Sequence, residues 1–167
     1  MFAQDSLIVN SPNRINQDSL LKEQIFFTVA PRIGAGIHHN PYYEIGLSGI
    51  RIDIHHLAFN AVSVYGTMIF HQTSQGSSFD TYGFKVGVQS SWGIFMWGIE
   101  LKSLSFQNEE EIYIPLKFGL SFLDFINIEY AVNISGISDK SVIQSKHMIG
   151  INFSMNRKIY RTVKSFI

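Results

Sequence analysis

Between Asp80 and Asn156 the chain alternates apolar and polar residues almost without error. Its clearest run sets Ile112, Ile114, Leu116, Phe118, Leu120 and Phe122 against Glu111, Tyr113, Pro115, Lys117, Gly119 and Ser121. A period of two is that of a β-strand with one apolar and one polar face. The same period recurs upstream, over about Gln24 to His38, Tyr42 to His55 and Leu57 to Phe70. In the second of these the apolar phase passes from Tyr43, Ile45 and Leu47 to Ile50, Ile52 and Ile54, and the third slips between Ala61 and Val62. One-residue slips of this kind predict β-bulges. With four more strands up to Trp92, Leu101, Ile134 and Met155 beside the clearest run, the pattern predicts eight strands. Their connections are too short for crossover helices, so neighbours pair antiparallel in sequence order. Eight is also the smallest common count for a closed up-and-down barrel.

Two inside-out barrels share this pattern: a water-soluble carrier with an apolar interior, and a membrane barrel with lipid outside and a polar lumen. Three features favour the second. The polar face is rich in small residues (Gly34, Gly36, Gly83, Gly87, Gly98, Gly119, Ala131, Gly150), as a cramped eight-stranded interior requires. Lys85, Glu100, Lys117 and Glu129 fall at matching heights on consecutive strands, an alternating-sign ladder of the kind buried charges need. Connections after strands two, four and six are tight, while those after three, five and seven, including Gln107 to Glu110, are longer and polar. Aromatics near strand ends (Tyr43, Trp92, Phe95, Phe106, Phe122, Phe125) are placed as an interfacial girdle would be.

Composition narrows the choice. Charged residues are 16%, against about 25% in ordinary soluble domains, and the net charge of zero argues against nucleic acid as a partner, since a phosphate backbone needs an extended basic surface. No cysteine is present, which excludes disulfides and thiolate metal sites. No apolar run approaches the ~20 residues of a membrane helix. Entry into a bilayer must then be as a closed barrel. Residues 1–23 read as a polar N-terminal extension, 24–157 as the barrel, and 158–167 as a basic tail.

The pattern resembles the small eight-stranded outer-membrane β-barrel proteins of Gram-negative bacteria, over about residues 24–157 and without a diagnostic motif. The resemblance implies outer-membrane residence among lipid and lipopolysaccharide, with both termini periplasmic. Such barrels end on an aromatic that closes the last strand. Here the strand pattern stops near Met155 to Arg157, and Tyr160 and Phe166 lie beyond it.

Arg32, Glu44, Lys102 and Lys146 are expected to join Lys85, Glu100, Lys117 and Glu129 in a charge network filling the lumen, with Arg51 and Asp53 extending it. The tail, with Arg157, Lys158, Tyr160, Arg161, Lys164 and Phe166, is expected to contact a protein partner. Of the histidines, His38, His39, His71 and His147 belong to the outer end and His55 and His56 to the periplasmic one. His38 or His39 with His147 is the one pair that barrel closure would join. A zinc site wants three or four ligands, and solvated loop histidines are the plainer reading, so no cofactor or metal is expected. A lipid A-modifying acyltransferase or deacylase is the enzymatic alternative, with His71 and Ser74 as its dyad. Their spacing departs from the His and Ser two apart of that resemblance, so a non-catalytic role is expected. The functional expectation is a structural or accessory outer-membrane subunit of a larger assembly; a lipocalin-like carrier is the second alternative.

Overall fold

In the computed structural model, residues 24–38, 40–55, 58–72, 79–106, 109–134 and 146–164 are described; the expected N-terminal extension lies outside them. The alternating segments form β1 (Gln24–His38), β2 (Asn40–His55), β3 (Ala58–Gln72), β4 (Phe79–Trp92), β5 (Phe95–Phe106), β6 (Glu109–Tyr113), β7 (Pro115–Phe122), β8 (Ile126–Asn133) and β9 (His147–Ser154). Each pairs antiparallel with its neighbour, and β1 pairs with β9 from Arg32↔Ser154 to Ile37↔Ile149, closing the sheet. β6 and β7 meet β5 in one register, Lys102↔Tyr113 continuing to Ile99↔Leu116, so they are one strand. Its interruption at Ile114 precedes Pro115, which has no N–H for the ladder. The fold is thus a closed eight-stranded antiparallel barrel.

The slips in the second and third segments are not bulges. β1–β2 and β2–β3 run in unbroken register, and the one irregularity of β3–β4 lies at His71/Gln72. Side chains simply keep alternating in and out along β2: Glu44 and Ser48 inward, Ile45 and Leu47 outward, then Ile50 and Ile52 inward and Arg51 outward. What changes at Ser48-Gly49 is the filling of the barrel, from polar to apolar. Arg51 therefore lies outside with Asp53, their side chains paired at 3.1 Å, and neither extends an interior network.

That apolar filling forms a floor at the end where β1 begins and β9 leads into the residues that follow it. Ala30, Ile50, Ile52, Ala61, Leu123 and Ile159 are buried together, with Phe26, Ile54, Phe59, Phe122 and Phe125 packed against them. Phe122 and Phe125 thus turn toward the floor and are not girdle residues, whereas Tyr43, Trp92 and Phe95 do project outward.

Ile159 reaches the floor from a helix, α1 (Arg157–Lys164), where the sequence pattern gave only an irregular tail. Asn156 starts it, its Oδ1 accepting from the N–H groups of Lys158 (2.9 Å) and Ile159 (3.0 Å), a side-chain N-cap. The Asn156 amide also donates to the Val29 carbonyl at 2.6 Å, and Lys158 Nζ to that of Phe27 at 3.5 Å. Both carbonyls lie on the part of β1 that extends beyond β9, an edge that would otherwise be bare.

The hairpin turns at this end are tight. β4 turns into β5 through Gly93 (φ 60°) and Ile94, and β7 into β8 through Leu123 (φ 52°) and Asp124 (φ 57°). Connections at the opposite end are not uniformly long: His38 pairs with Asn40, and Glu109 and Glu110 of the expected loop over 107–110 belong to β6, while 107–108 lie outside the described residues. The segments 73–78 and 135–145 lie outside the described residues.

Candidate functional site

Above the apolar floor, six charged side chains from six strand positions meet inside the barrel. Alternation along each strand turns them inward, and antiparallel register sets them at one height. Arg32 (β1) lies 3.4 Å from Glu44 (β2), and Glu44 also pairs with Lys85 (β4). Lys85 lies 3.2 Å from Glu100 (β5), Glu100 3.0 Å from Lys117 (β7), and Lys117 2.6 Å from Glu129 (β8). Arg32 closes the circuit on Glu129 at 3.8 Å. The result is a ring of three cations and three anions in strict alternation, every member buried. The expected four-residue ladder supplies four of its six members, and Arg32 and Glu44, also expected in the network, supply the other two.

Tyr65 of β3 occupies the middle. Its hydroxyl donates to Glu100 at 2.5 Å, while the Arg32 guanidinium stands 4.1 Å and the Lys117 ammonium 4.8 Å from its ring centre. At these distances the ring face attracts each cation. Sequence reasoning missed Tyr65, although the outward Val62, Val64 and Met68 imply that Ser63, Tyr65 and Thr67 face in. Gln89 links the ring to the floor: its Oε1 accepts from Lys117 (3.2 Å) and Arg32 (3.4 Å), and its amide donates to Asp124 in the β7–β8 turn. Asp124 also accepts from Asn127 at 2.9 Å. Burial pushes its carboxyl above the ordinary value of 3.8, against the pull of Arg32 and of the hydrogen bond from Asn127.

Glycine makes the room for so many long side chains. Gly34 faces Glu44, and Gly87 stands between Tyr65 and Glu100. A Cβ at Gly87 would sit 2.5 Å from Tyr65 Cζ, and one at Gly34 would sit 2.8 Å from Glu44 Cγ. No side chain fits there without moving the ring. Small opposite large is how an eight-stranded interior fills.

Lys102 belongs to a separate layer farther from the termini. It is buried with its Nζ 3.5 Å from His38 Nδ1 and 5.5 Å from the Tyr42 ring centre. His38 and His71 lie 6.1 Å apart between ring centres, with Tyr42 against His71 at 5.4 Å. His38 of β1 thus stands beside His71 of β3, a pairing that the expectation did not name. His147 is exposed, stacked on Tyr130 and hydrogen-bonded to its hydroxyl at 2.5 Å. His71 is a buried β3 residue rather than a loop residue; Ser74, its supposed dyad partner, lies outside the described residues, as do His39 and His56. Among the described residues no cluster of three or more His, Asp or Glu is arranged to hold a metal ion.

Lys146 does not join the network. It is exposed at the mouth before β9, where its carbonyl accepts from the Asn133 N–H at 2.9 Å, because the β9 alternation reaches the interior first at Met148. In the tail, Arg157, Lys158, Tyr160 and Arg161 are exposed on α1; Lys164 ends the helix and Phe166 lies outside the described residues.

Outside, the wall is apolar. Phe27 (67% exposed), Trp92 (74%) and Trp97 (66%) project outward with Ile33, Leu47, Val64, Phe84, Leu101, Phe118 and Ile149. No helix among the described residues is long and apolar enough to cross a membrane, which says nothing about strands.

The class defined by this geometry is a closed antiparallel eight-stranded β-barrel with charged residues enclosed and large apolar residues outward. No protein-family model, curated protein or solved structure matches the chain.

Proposed function

We propose that this protein spans a Gram-negative outer membrane as a plugged β-barrel and serves there as a structural or accessory component, without a catalytic centre of its own. One observation carries this reading: the inversion of polarity across the barrel wall. Aromatic and aliphatic side chains cover the outside, where water would disfavour a continuous apolar band and lipid favours it. Burying six charges is tolerable only because each has opposite neighbours, and their constraint is geometric rather than reactive. A carrier of apolar ligands would need the opposite polarity. A pore would need a passage, and Tyr65, the ring and the floor fill the space instead. The exposed cations of α1, with a hydrophobic wall beside them, support membership of a larger assembly at the periplasmic end.

The test is fractionation followed by gel migration. The reading expects the protein in the outer-membrane fraction, running at different positions before and after boiling as lipid-embedded barrels do. Recovery in the soluble fraction, with migration indifferent to heating, contradicts it.

A further inference from the structure

The outer wall carries one feature that the plugged barrel does not use. Val29, Gly49 and Val64 are successive outward positions in register across β1, β2 and β3. Gly49 presents no side chain, and its packing does not demand glycine: a Cβ there would meet only the Val64 carbonyl, at 3.8 Å. The missing side chain opens a trough of about 620 Å³ on the wall, floored by Val29, Val62, Val64 and Phe27. Its lining is mostly apolar, and the two cationic residues that contribute to it are Arg51 and Lys158. The Arg51 guanidinium sits 5.8 Å from the Phe27 ring centre, and Lys158 reaches it from α1. Arg51 is paired to Asp53 at 3.1 Å and Lys158 donates to the Phe27 carbonyl at 3.5 Å, contacts that hold both cations at the rim.

An acyl-chain-sized apolar groove ending in two cations at the terminal end of a barrel is complementary to an anionic phospholipid. From this we infer that the trough between Phe27, Gly49 and Val64 is a binding site for one anionic phospholipid of the facing leaflet, its phosphate held by Arg51 and Lys158. The inference rests on the membrane reading above and goes beyond it by naming a ligand class and its residues. Lys158 then has two tasks, holding α1 to the β1 edge and meeting the headgroup. A cation near a lipid surface strengthens its attraction for anionic headgroups severalfold.

The test uses the full chain folded in detergent, offered phosphatidylglycerol and phosphatidylcholine in equal amounts, with bound lipid counted by native mass spectrometry. Wild type is expected to retain phosphatidylglycerol with roughly tenfold preference, one molecule saturating first. In R51Q/K158Q the preference falls to near parity. G49L, which fills the trough while leaving both cations, loses the retained molecule altogether. Equal retention of the two lipids by wild type, or an unchanged preference in R51Q/K158Q, overturns the inference. Flotation with pure phosphatidylcholine vesicles separates the two ideas. A chain that floats and shows heat-dependent migration yet lacks lipid preference removes the site alone. A chain that does not float removes the membrane reading and the site together.

Discussion

Gly87 lies directly across the sheet from Tyr65, and a Cβ at that position would fall 2.5 Å from Tyr65 Cζ. The barrel thus has space for an aromatic ring at the centre of its charge ring only because the facing residue has no side chain. Overpacking a filled interior costs about 1–3 kcal/mol. Gly87→Ala is expected to lower the unfolding free energy measured in urea by that order, and Gly87→Val by more. Gly49→Ala, outward with open space, is expected to leave it unchanged.

Glu100 answers two buried lysines and the Tyr65 hydroxyl at once. Removing one partner of a buried pair typically costs about 3–5 kcal/mol, because the opposite charge stays buried without compensation. Glu100→Leu is expected to cost at least that in equilibrium unfolding. Lys102, by contrast, meets His38 and Tyr42 and, among the described residues, no carboxylate within salt-bridge reach. Lys102→Met is therefore expected to be neutral or stabilising, and a loss as large as that of Glu100→Leu would show that Lys102 belongs to the ring.

Ile159 closes the floor from α1. Ile159→Ala is expected to cost about 2–5 kcal/mol, the usual range for emptying a buried aliphatic site. It is not expected to open a channel, since the ring lies above the floor. Wild type and variant should both lack single-channel conductance in planar bilayers; conductance in the variant alone would make α1 the plug.

Asp124, in the β7–β8 turn, gives a pH dependence with a definite sign. Its folded pKa lies above the ordinary 3.8, chiefly through burial, so the native state binds its proton more tightly than the unfolded chain. The stability this contributes is complete below about 3.8 and is lost as pH rises through the higher folded pKa. Asp124→Asn abolishes the effect. The stability of the variant relative to wild type should be greater at pH 7 than at pH 3.5, and a difference constant across that range would contradict the assignment.

The sequence made the inward charges legible because strand alternation fixes side and short antiparallel connections fix height. Lys85, Glu100, Lys117 and Glu129 could be aligned from the chain alone; Arg32 and Glu44 completed the circuit once β1 met β9. Other features escaped, Tyr65 among them. The change of filling in β2 mimicked a bulge, because Ile50 and Ile52 are as apolar as the outward Ile45 and Leu47, and alternation cannot tell a lipid-facing isoleucine from a floor isoleucine. Arg51 and Asp53 were misplaced by the same slip. The helix after β9 is eight residues long, too short to be stable alone. It depends on the Asn156 cap and on Ile159 finding the floor, a tertiary contact that no local period announces.

The inversion of polarity across the wall can be read directly from tryptophan. The chain has two, Trp92 and Trp97, and both project outward from the barrel. Emission from the protein reconstituted in bilayers of brominated phospholipid is the decisive measurement. The account predicts strong quenching by the brominated chains and little by aqueous acrylamide. Emission untouched by brominated lipid and readily quenched by acrylamide would mean that the apolar wall faces water, and that the protein does not live in a membrane.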